Sequence, residues 1–217
     1  MSVVMCGILG YSFGCFNPSQ LIARRRGLDI REEGSKNAGA SNVVLMFGKK
    51  LGLLTAIMDI MKAYLAAVVA AMLLPACAVA KEIAAIFCVL GHMFPITMDF
   101  KGGKGLSCMA GGVLAYDRKL FLILFVAEVV FALMMDYIVA ITLSLAVLLP
   151  ILYFKAKKSM KVGILMSMVG GLIIYKHREN IERIGKGTEV RLSYLWNRDK
   201  ETERVKQNMD LEENQME

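Results

Sequence analysis

Long apolar runs separated by short polar loops dominate this chain. A helix that crosses the hydrocarbon core of a bilayer needs about 20 residues, with about 17 as the lower limit. Three of the apolar runs reach that length and the others are marginal or short; the runs cover residues 2–23, 51–75, 83–98, 105–116, 119–137, 138–154 and 162–175. Because lipid offers no partner to free backbone groups, the pattern predicts an all-α integral membrane protein with about seven transmembrane helices, some short or broken. Six spans plus a re-entrant segment is the alternative.

Composition and charge agree with a membrane protein. Hydrophobic residues make up 56% of the 217 residues, and the mean hydropathy is +0.52. Residues 176–217 hold nine basic and ten acidic side chains, which leaves seventeen basic against nine acidic in the apolar body. Since these basic residues lie in loops between apolar runs, we expect the lipid bilayer and small phosphorylated substrates as partners, and no nucleic acid. We also expect a membrane domain over residues 1–189 and a polar C-terminal extension over 190–217.

Loop charge predicts the orientation in the membrane. The loop at residues 24–50 carries seven basic and three acidic side chains, and an excess of Lys and Arg marks the cytoplasmic side. With seven spans, residues 99–104 and the C-terminal tail lie on that side as well. The sequence therefore predicts a bacterial inner-membrane protein with its polar loops facing the cytoplasm. One external loop disagrees with this rule, since it holds Lys155, Lys157, Lys158 and Lys161.

Charged residues within the apolar runs have a structural interpretation. Asp59 and Lys62 are three residues apart, so they share one helical face and can pair; Glu128 lies in the middle of another run. Cys88 and His92 are four apart, but a zinc site needs about four ligands and no second pair follows. We expect no metal, and we interpret the five cysteines as small hydrophobic residues.

Three polar clusters interrupt the apolar pattern, at residues 34–42, 101–105 and 177–180. Glycine lets backbone N–H groups turn toward one point, and lysine or asparagine adds charge or donors there. Each cluster alone is more often a turn, a helix cap or an interfacial anchor. Their common side of the membrane indicates that they meet and hold phosphate.

The clusters and their surroundings resemble the bacterial membrane acyl-phosphate:glycerol-3-phosphate acyltransferases. The resemblance covers about residues 8–190, and the matching text runs through Gly27-x-Asp29-Ile30-Arg31-Glu32-x-Gly34-Ser35-x-Asn37-x-Gly39-Ala40-x-Asn42-Val43, Gly48-Lys49-Lys50, Asp59-x-x-Lys62, Gly91-His92-x-Phe94-Pro95, Phe100-Lys101-Gly102-Gly103-Lys104-Gly105, His177-Arg178-x-Asn180-Ile181-x-Arg183 and Gly187-Thr188-Glu189. It implies a seven-span enzyme that transfers a fatty acyl group from acyl phosphate to the 1-hydroxyl of glycerol 3-phosphate. The products are lysophosphatidic acid and phosphate, at the start of phospholipid synthesis. It further implies no cofactor, and we expect a monomer.

The chemistry implied by this resemblance assigns roles to the polar residues. The enzyme has to bring two anions together and stabilise charge on the carbonyl oxygen. The expected catalytic residues are Ser35, Lys104, His177 and Asn180. The expected phosphate ligands are Lys36, Asn37, Gly39, Asn42, Gly102, Gly103 and Gly105. His177 is either the general base or, as we favour, a ligand of glycerol phosphate; in the latter case the substrate's own phosphate accepts the proton.

The first cluster departs from the family pattern at three positions. Lys36 stands in place of a glycine, Ser41 in place of a threonine, and Leu45 in place of an arginine that contacts substrate phosphate in the family. Leucine cannot replace the bidentate guanidinium. Either Lys36 supplies the missing cation, or the chain is a diverged paralogue with altered or lost activity. A transporter or binding protein for a phosphorylated solute is a further alternative.

Overall fold

The predicted fold class is confirmed by the computed structural model, which describes residues 1–156 and 158–216. Lys157 and Glu217, which fall in the predicted external loop and tail, lie outside these residues. The described chain has no strand. Its helices are α1 (Ser2–Cys15), α2 (Pro18–Arg24), α3 (Ala40–Phe47), α4 (Lys49–Leu73), α5 (Ala80–Met93), α6 (Leu106–Tyr116), α7 (Arg118–Met135), α8 (Ile138–Lys155), α9 (Met160–Lys176), α10 (Arg178–Gly185) and α11 (Arg198–Met216), with 3-10 turns at Ile96–Met98 and Leu192–Leu195.

The apolar helices follow the predicted spans. Seven of the described helices are apolar and match the seven hydrophobic runs: α1 and α4 to α9. Within residues 1–156 and 158–216, three segments are long and apolar enough by themselves to cross a membrane, namely Lys49–Leu73, Ala80–Met98 and Ile138–Lys155. The fourth predicted run is short as expected, since α6 has 11 residues.

The first predicted span is broken into two helices. Asn17 between them has an extended backbone, and its side chain accepts a hydrogen bond from the Gln20 N–H at 2.9 Å. Pro18 occupies the first position of α2, where its lack of an N–H costs nothing. The Asn17 amide also donates to the carbonyl of Ala38 at 3.1 Å. The break therefore attaches the first polar cluster to the bundle.

The predicted pair in α4 is confirmed and has a structural role. Lys62 Nζ lies 2.8 Å from the carboxylate of Asp59, and both side chains are buried. The ammonium also donates to the carbonyls of Gly14 at 3.2 Å and Phe16 at 2.6 Å. These carbonyls lie at the end of α1, where the helix leaves its last acceptors without partners. Lys62 thus caps the broken helix from inside the bundle.

Replacing Lys62 with methionine is expected to destabilise the protein by about 3–5 kcal/mol, because the substitution removes the ammonium from the buried Asp59 carboxylate and leaves only His92 Nδ1, 3.4 Å away, beside it. Thermal unfolding in detergent measures the loss. The double variant Asp59→Asn with Lys62→Met is the control and is expected to recover part of the stability. Equal unfolding temperatures for the wild type and the single variant would contradict this role.

Close packing places α5 beside the helix break. A Cβ atom on Gly14 would lie 2.3 Å from the carbonyl oxygen of Cys88, and one on Gly91 would lie 2.3 Å from that of Tyr11. Only glycine permits this approach of α1 and α5. Elsewhere Ser144 donates to the buried carboxylate of Glu128 at 2.6 Å, which joins α7 to α8.

Candidate active site

The three polar clusters meet at one end of the bundle. A Cβ atom on Gly103 would lie 2.8 Å from the carbonyl oxygen of Ala38, so the first and second clusters are in contact. The Lys104 ammonium donates to the side-chain oxygen of Asn180, which joins the second cluster to the third. The sequence-based expectation that these distant segments converge is therefore confirmed.

Asn42 holds the first cluster in shape. Its side-chain oxygen accepts from the Ser35 N–H at 2.8 Å, and its amide group donates to the carbonyls of Ile30 at 3.0 Å and Glu33 at 2.9 Å. The side chain is fully buried. These bonds engage its amide on both sides, so Asn42 braces the loop, and its direct binding of phosphate stays a prediction.

Ser35 and Lys36 are exposed on the open side of this loop, and Asn37 is half-buried. Lys36 has a φ of 56°, in the left-handed region that favours glycine. This backbone conformation explains why the related family has glycine there. Gly39 is buried and precedes α3, on which Leu45 lies half-buried.

An ion pair with no role assigned from the sequence connects the segments that precede the first two clusters. Arg31 pairs with Asp29 at 2.7 Å and with Asp99 at 3.0 Å, and it donates to the carbonyl of Met98 at 2.9 Å. Hydrogen bonds from the Arg31 side chain lower the pKa of Asp29 to about 2. The short separation of Asp29 and Arg31 was a usable signal; their link to residues 98–99 was not readable from spacing.

The glycines of the second cluster serve packing more than anion binding. The N–H groups of Gly102 and Gly103 donate to the carbonyls of Met93 at 3.1 Å and His92 at 3.0 Å. A Cβ atom on Gly102 would lie 2.0 Å from the His92 carbonyl oxygen, and one on Gly103 would lie 2.2 Å from the His92 ring. These two N–H groups are thus engaged within the protein, and the binding of phosphate by Gly102 and Gly103 stays a prediction.

The backbone N–H groups that follow Gly103 in the second cluster are free donors. Within the described part of the chain, the N–H groups of Lys104 and Gly105 have no hydrogen-bond partner. Gly105 has a φ of 96° and precedes α6, so these donors stand at a helix N-terminus, where anions are favoured. Burial and the charge of Arg183 lower the pKa of Lys104 to about 8, while the Glu189 carboxylate opposes the shift.

His177 ends α9 with its ring buried. Its Nδ1 lies 2.8 Å from the carbonyl oxygen of Ile173. A carbonyl only accepts, so Nδ1 carries the hydrogen and Nε2 is an acceptor in the neutral ring. Burial lowers the pKa of His177 to about 4, and the charges of Lys104 and Lys176 act in the same direction. At neutral pH the ring is uncharged.

A carboxylate fixes the orientation of Asn180. Glu189 accepts from the Asn180 amide at 2.6 Å and from Arg183 at 2.7 Å. A carboxylate accepts hydrogen bonds and an ammonium donates them, so the Asn180 side chain has one satisfied orientation, with its oxygen toward Lys104. Glu189 is one of the residues that match the family, but the sequence alone indicated no role for it.

An apolar cavity of about 140 Å³ lies beneath this polar site, between α5, α6, α8 and α9. Val89, Cys108 and Ile173 line the end next to the site. A Cβ atom on Gly105 would lie 3.1 Å from Val89, Cys108 is one turn beyond Lys104, and Ile173 is the hydrogen-bond partner of His177. The arrangement suits a molecule with a phosphate head and a hydrocarbon chain.

A buried cluster below Gly103 contains three possible metal ligands. Ligand atoms of Asp59, His92 and Cys108 lie within 4.8 Å of one another. Lys62 Nζ lies 2.8 Å from Asp59 and 3.0 Å from His92 Nδ1, so a side-chain cation already sits among them. The cluster thus supports the Gly102–Gly103 turn through His92.

Comparisons with known proteins agree with the geometry. Residues 4–187 match the family model described as glycerol-3-phosphate acyltransferase. A glycerol-3-phosphate acyltransferase 1 of Oceanobacillus iheyensis is 34% identical over 205 residues, covering 90% of this chain and 98% of the relative. One of Desulfotalea psychrophila is 38% identical over 189 residues, covering 84% and 94%.

Solved structures show the same fold. The crystal structure of an integral membrane glycerol 3-phosphate acyltransferase in its glycerol 3-phosphate form superposes with a TM-score of 0.80 at 32% identity, covering 90% of this chain and 98% of that one. The lysophosphatidic acid form gives a TM-score of 0.76 at 31% identity, with 88% and 95% covered.

Proposed function

This chain belongs to the glycerol-3-phosphate acyltransferase family and is an integral membrane acyltransferase, and we propose that its acyl donor is acyl phosphate. The acyl group passes to the 1-hydroxyl of glycerol 3-phosphate. The observation that carries the proposal is the polar site of Lys104, His177 and Asn180 directly above the apolar cavity. An amphiphilic donor places its chain in the cavity and its phosphate at the site.

The site's residues divide the work of the transfer. The Lys104 ammonium and the N–H groups of Lys104 and Gly105 hold phosphate and offset the repulsion between the two anionic substrates. Ser35 and Asn37 donate to phosphate or carbonyl oxygens from the first cluster. Gly39 shapes that loop at the start of α3. These assignments keep the expected residues, apart from Asn42, Gly102 and Gly103, which act by holding the loops.

His177 orients the attacking hydroxyl. Its Nε2 is an acceptor because Nδ1 is engaged by Ile173, so it accepts a hydrogen bond from the 1-hydroxyl. The hydroxyl oxygen forms the ester bond to the carbonyl carbon as the bond from that carbon to the phosphate oxygen breaks. A ring of such low basicity does not retain the proton, which ends on the released phosphate. This assignment replaces the favoured expectation that His177 is a phosphate ligand.

Loop charge supports the placement of the site. We place the protein in the bacterial inner membrane as a monomer, with the polar site on the cytoplasmic side where soluble glycerol 3-phosphate is present. The basic residues of the 24–50 loop, which contains the first cluster, support this orientation.

Phosphate release from palmitoyl phosphate, in detergent, tests the proposed reaction. We expect release that depends on glycerol 3-phosphate and equals the lysophosphatidic acid formed. Uptake of glycerol 3-phosphate into vesicles without release would instead support a transporter. If the protein shows no phosphate release and no uptake, that result would support a diverged, non-catalytic paralogue.

Lys36 compensates for the arginine absent at Leu45. Its side chain is exposed at the open side of the first cluster, and no described carboxylate pairs with it. Lys36→Ala is expected to raise the KM for glycerol 3-phosphate about 10–100-fold, the value of a charge-assisted contact of about 1.5–3 kcal/mol. Lys50→Ala, which removes an exposed charge after the same loop, is the control.

The reciprocal exchange tests the same compensation. Lys36→Gly combined with Leu45→Arg is expected to preserve or raise activity, since glycine also relieves the left-handed backbone at position 36. A KM unchanged by Lys36→Ala would show that Lys36 does not compensate.

A further inference from the structure

The C-terminal segment 190–216 folds back toward the active site. The family match ends at residue 187, so this segment lies beyond it. The 3-10 turn Leu192–Leu195 and helix α11 make up most of the segment. It is attached at two points, one on the bundle and one beside the third polar cluster.

The first attachment is the turn between α7 and α8. The Asp136 carboxylate accepts from the Ser193 N–H at 2.8 Å and from the Ser193 hydroxyl at 3.0 Å. The Asp136 carbonyl accepts from the Leu192 N–H at 2.7 Å. Three donors of Leu192 and Ser193 thus hold the segment to the connection between α7 and α8.

The second attachment is made by Arg204 of α11. Its guanidinium donates to the carbonyls of Gly187 and of Glu189, the latter at 2.8 Å, and Asn208 also donates to Gly187 at 2.8 Å. Glu201, itself buried, accepts from Arg204 Nε at 2.9 Å. A planar guanidinium held on one edge by a carboxylate has its remaining donors aimed at fixed positions.

One of these carbonyls belongs to Glu189, whose side chain orients the active site. The Glu189 carboxylate holds the Asn180 amide, and the Asn180 oxygen accepts from Lys104. A continuous series of hydrogen bonds therefore runs from Arg204 through the backbone of Glu189 to Lys104. The N–H groups of Thr188 and Glu189 are bonded to the Arg183 carbonyl, so this turn can shift only with the end of α10.

We propose that segment 190–216 is a clamp on the glycerol 3-phosphate site and that Arg204 is its positioning residue, which acts on Asn180 and Lys104 through Glu189. The clamp rests on the proposed function and adds to it that Lys104 and Asn180, which adjoin the donor phosphate there, also bind glycerol 3-phosphate. Arg204 itself contacts no reacting atom.

Calorimetric titration of the full chain in detergent with glycerol 3-phosphate, without acyl donor, tests the clamp. Arg204→Ala is expected to weaken binding about three- to tenfold, the value of one lost hydrogen bond or slightly more. Lys206→Ala is the matched control, since it removes the same charge from the same helix and Lys206 is exposed without a described partner. Its affinity is expected to stay within twofold of the wild type.

A double-mutant cycle separates positioning from general stability. If Arg204 acts through Glu189, then Arg204→Ala is expected to cost little further affinity once Glu189 is replaced by alanine. Additive losses, or unchanged affinity with only a lower unfolding temperature, would overturn the clamp and leave the proposed function intact. A wild type that binds no glycerol 3-phosphate would overturn both.

Discussion

Lys104→Met is expected to lower kcat/KM for acyl transfer by about 10²–10³-fold, as does removal of a single preorganised donor at a developing charge. Among the described residues, Lys104 is the cation that donates to Asn180, and it lies at the start of α6 and above the apolar cavity. Its loss leaves two anionic substrates beside each other with less to offset their repulsion. Initial rates with palmitoyl phosphate measure the effect.

Lys101→Met is the matched control for this prediction. Lys101 belongs to the same loop, but its side chain is exposed. It is expected to keep activity within threefold of the wild type, in line with the small effects of most surface substitutions. Equal losses in the two variants would indicate that loop charge in general, and not Lys104, supports catalysis.

The pH profile provides a second test of Lys104. Its pKa is lowered to about 8, and the charged form is the one that binds phosphate. Activity of the free enzyme, measured as kcat/KM, is therefore expected to fall as the pH rises through about 8. Lys104→Arg is expected to remove this alkaline limb, because a guanidinium stays protonated there.

His177→Gln is expected to lower kcat about 10²-fold and to change the KM for glycerol 3-phosphate much less, because general acid–base and hydroxyl-orienting groups contribute about 10²–10⁴-fold to rate. Because Nδ1 is engaged by the Ile173 carbonyl, Nε2 is the ring nitrogen that is free to accept, and the proposed role as acceptor for the hydroxyl rests on this. A large rise in KM with kcat retained would instead restore the role of phosphate ligand. Unfolding temperatures of the two proteins exclude a folding defect.

His177 is also expected to leave no acid limb of its own between pH 5 and 8. Its pKa is lowered to about 4, so the ring remains neutral throughout that range. A fall in activity below about pH 6 would reflect protonation of the substrate's phosphate, whose second pKa is about 6 by analogy with phosphoserine. Such a limb is expected to persist in His177→Gln.

Much of the fold could be predicted from the sequence because membrane helices are long and nearly uniform in hydropathy. The seven apolar runs and the Asp59–Lys62 pair follow from length and from the helical repeat alone. The break at Asn17 was less readable, since Pro18 can begin a helix as well as bend one. Its position depends on a carbonyl 21 residues away, which no local pattern contains.

The sequence predicted that the three polar clusters meet, but it did not predict which backbone N–H groups are free and which are engaged within the protein. A glycine-rich sequence is typical both of an anion-binding loop and of closely packed segments. Only the contacts in the structure distinguish the two. Gly102 and Gly103 face His92, whose position depends on the crossing of α1 and α5. Asn42 and Glu189 likewise act on neighbours that are distant in sequence or lack any spacing signal.

The apolar cavity under the polar site sets where each product goes. In the proposed reaction, the new ester bond forms at the boundary between water and hydrocarbon, while the chain still occupies the space beside Val89 and Ile173. Inorganic phosphate is fully hydrated and departs into the aqueous phase. Lysophosphatidic acid instead enters the leaflet that adjoins the site, so synthesis adds lipid to one side of the bilayer. Growth of the opposite leaflet then requires a separate step that moves lipid across.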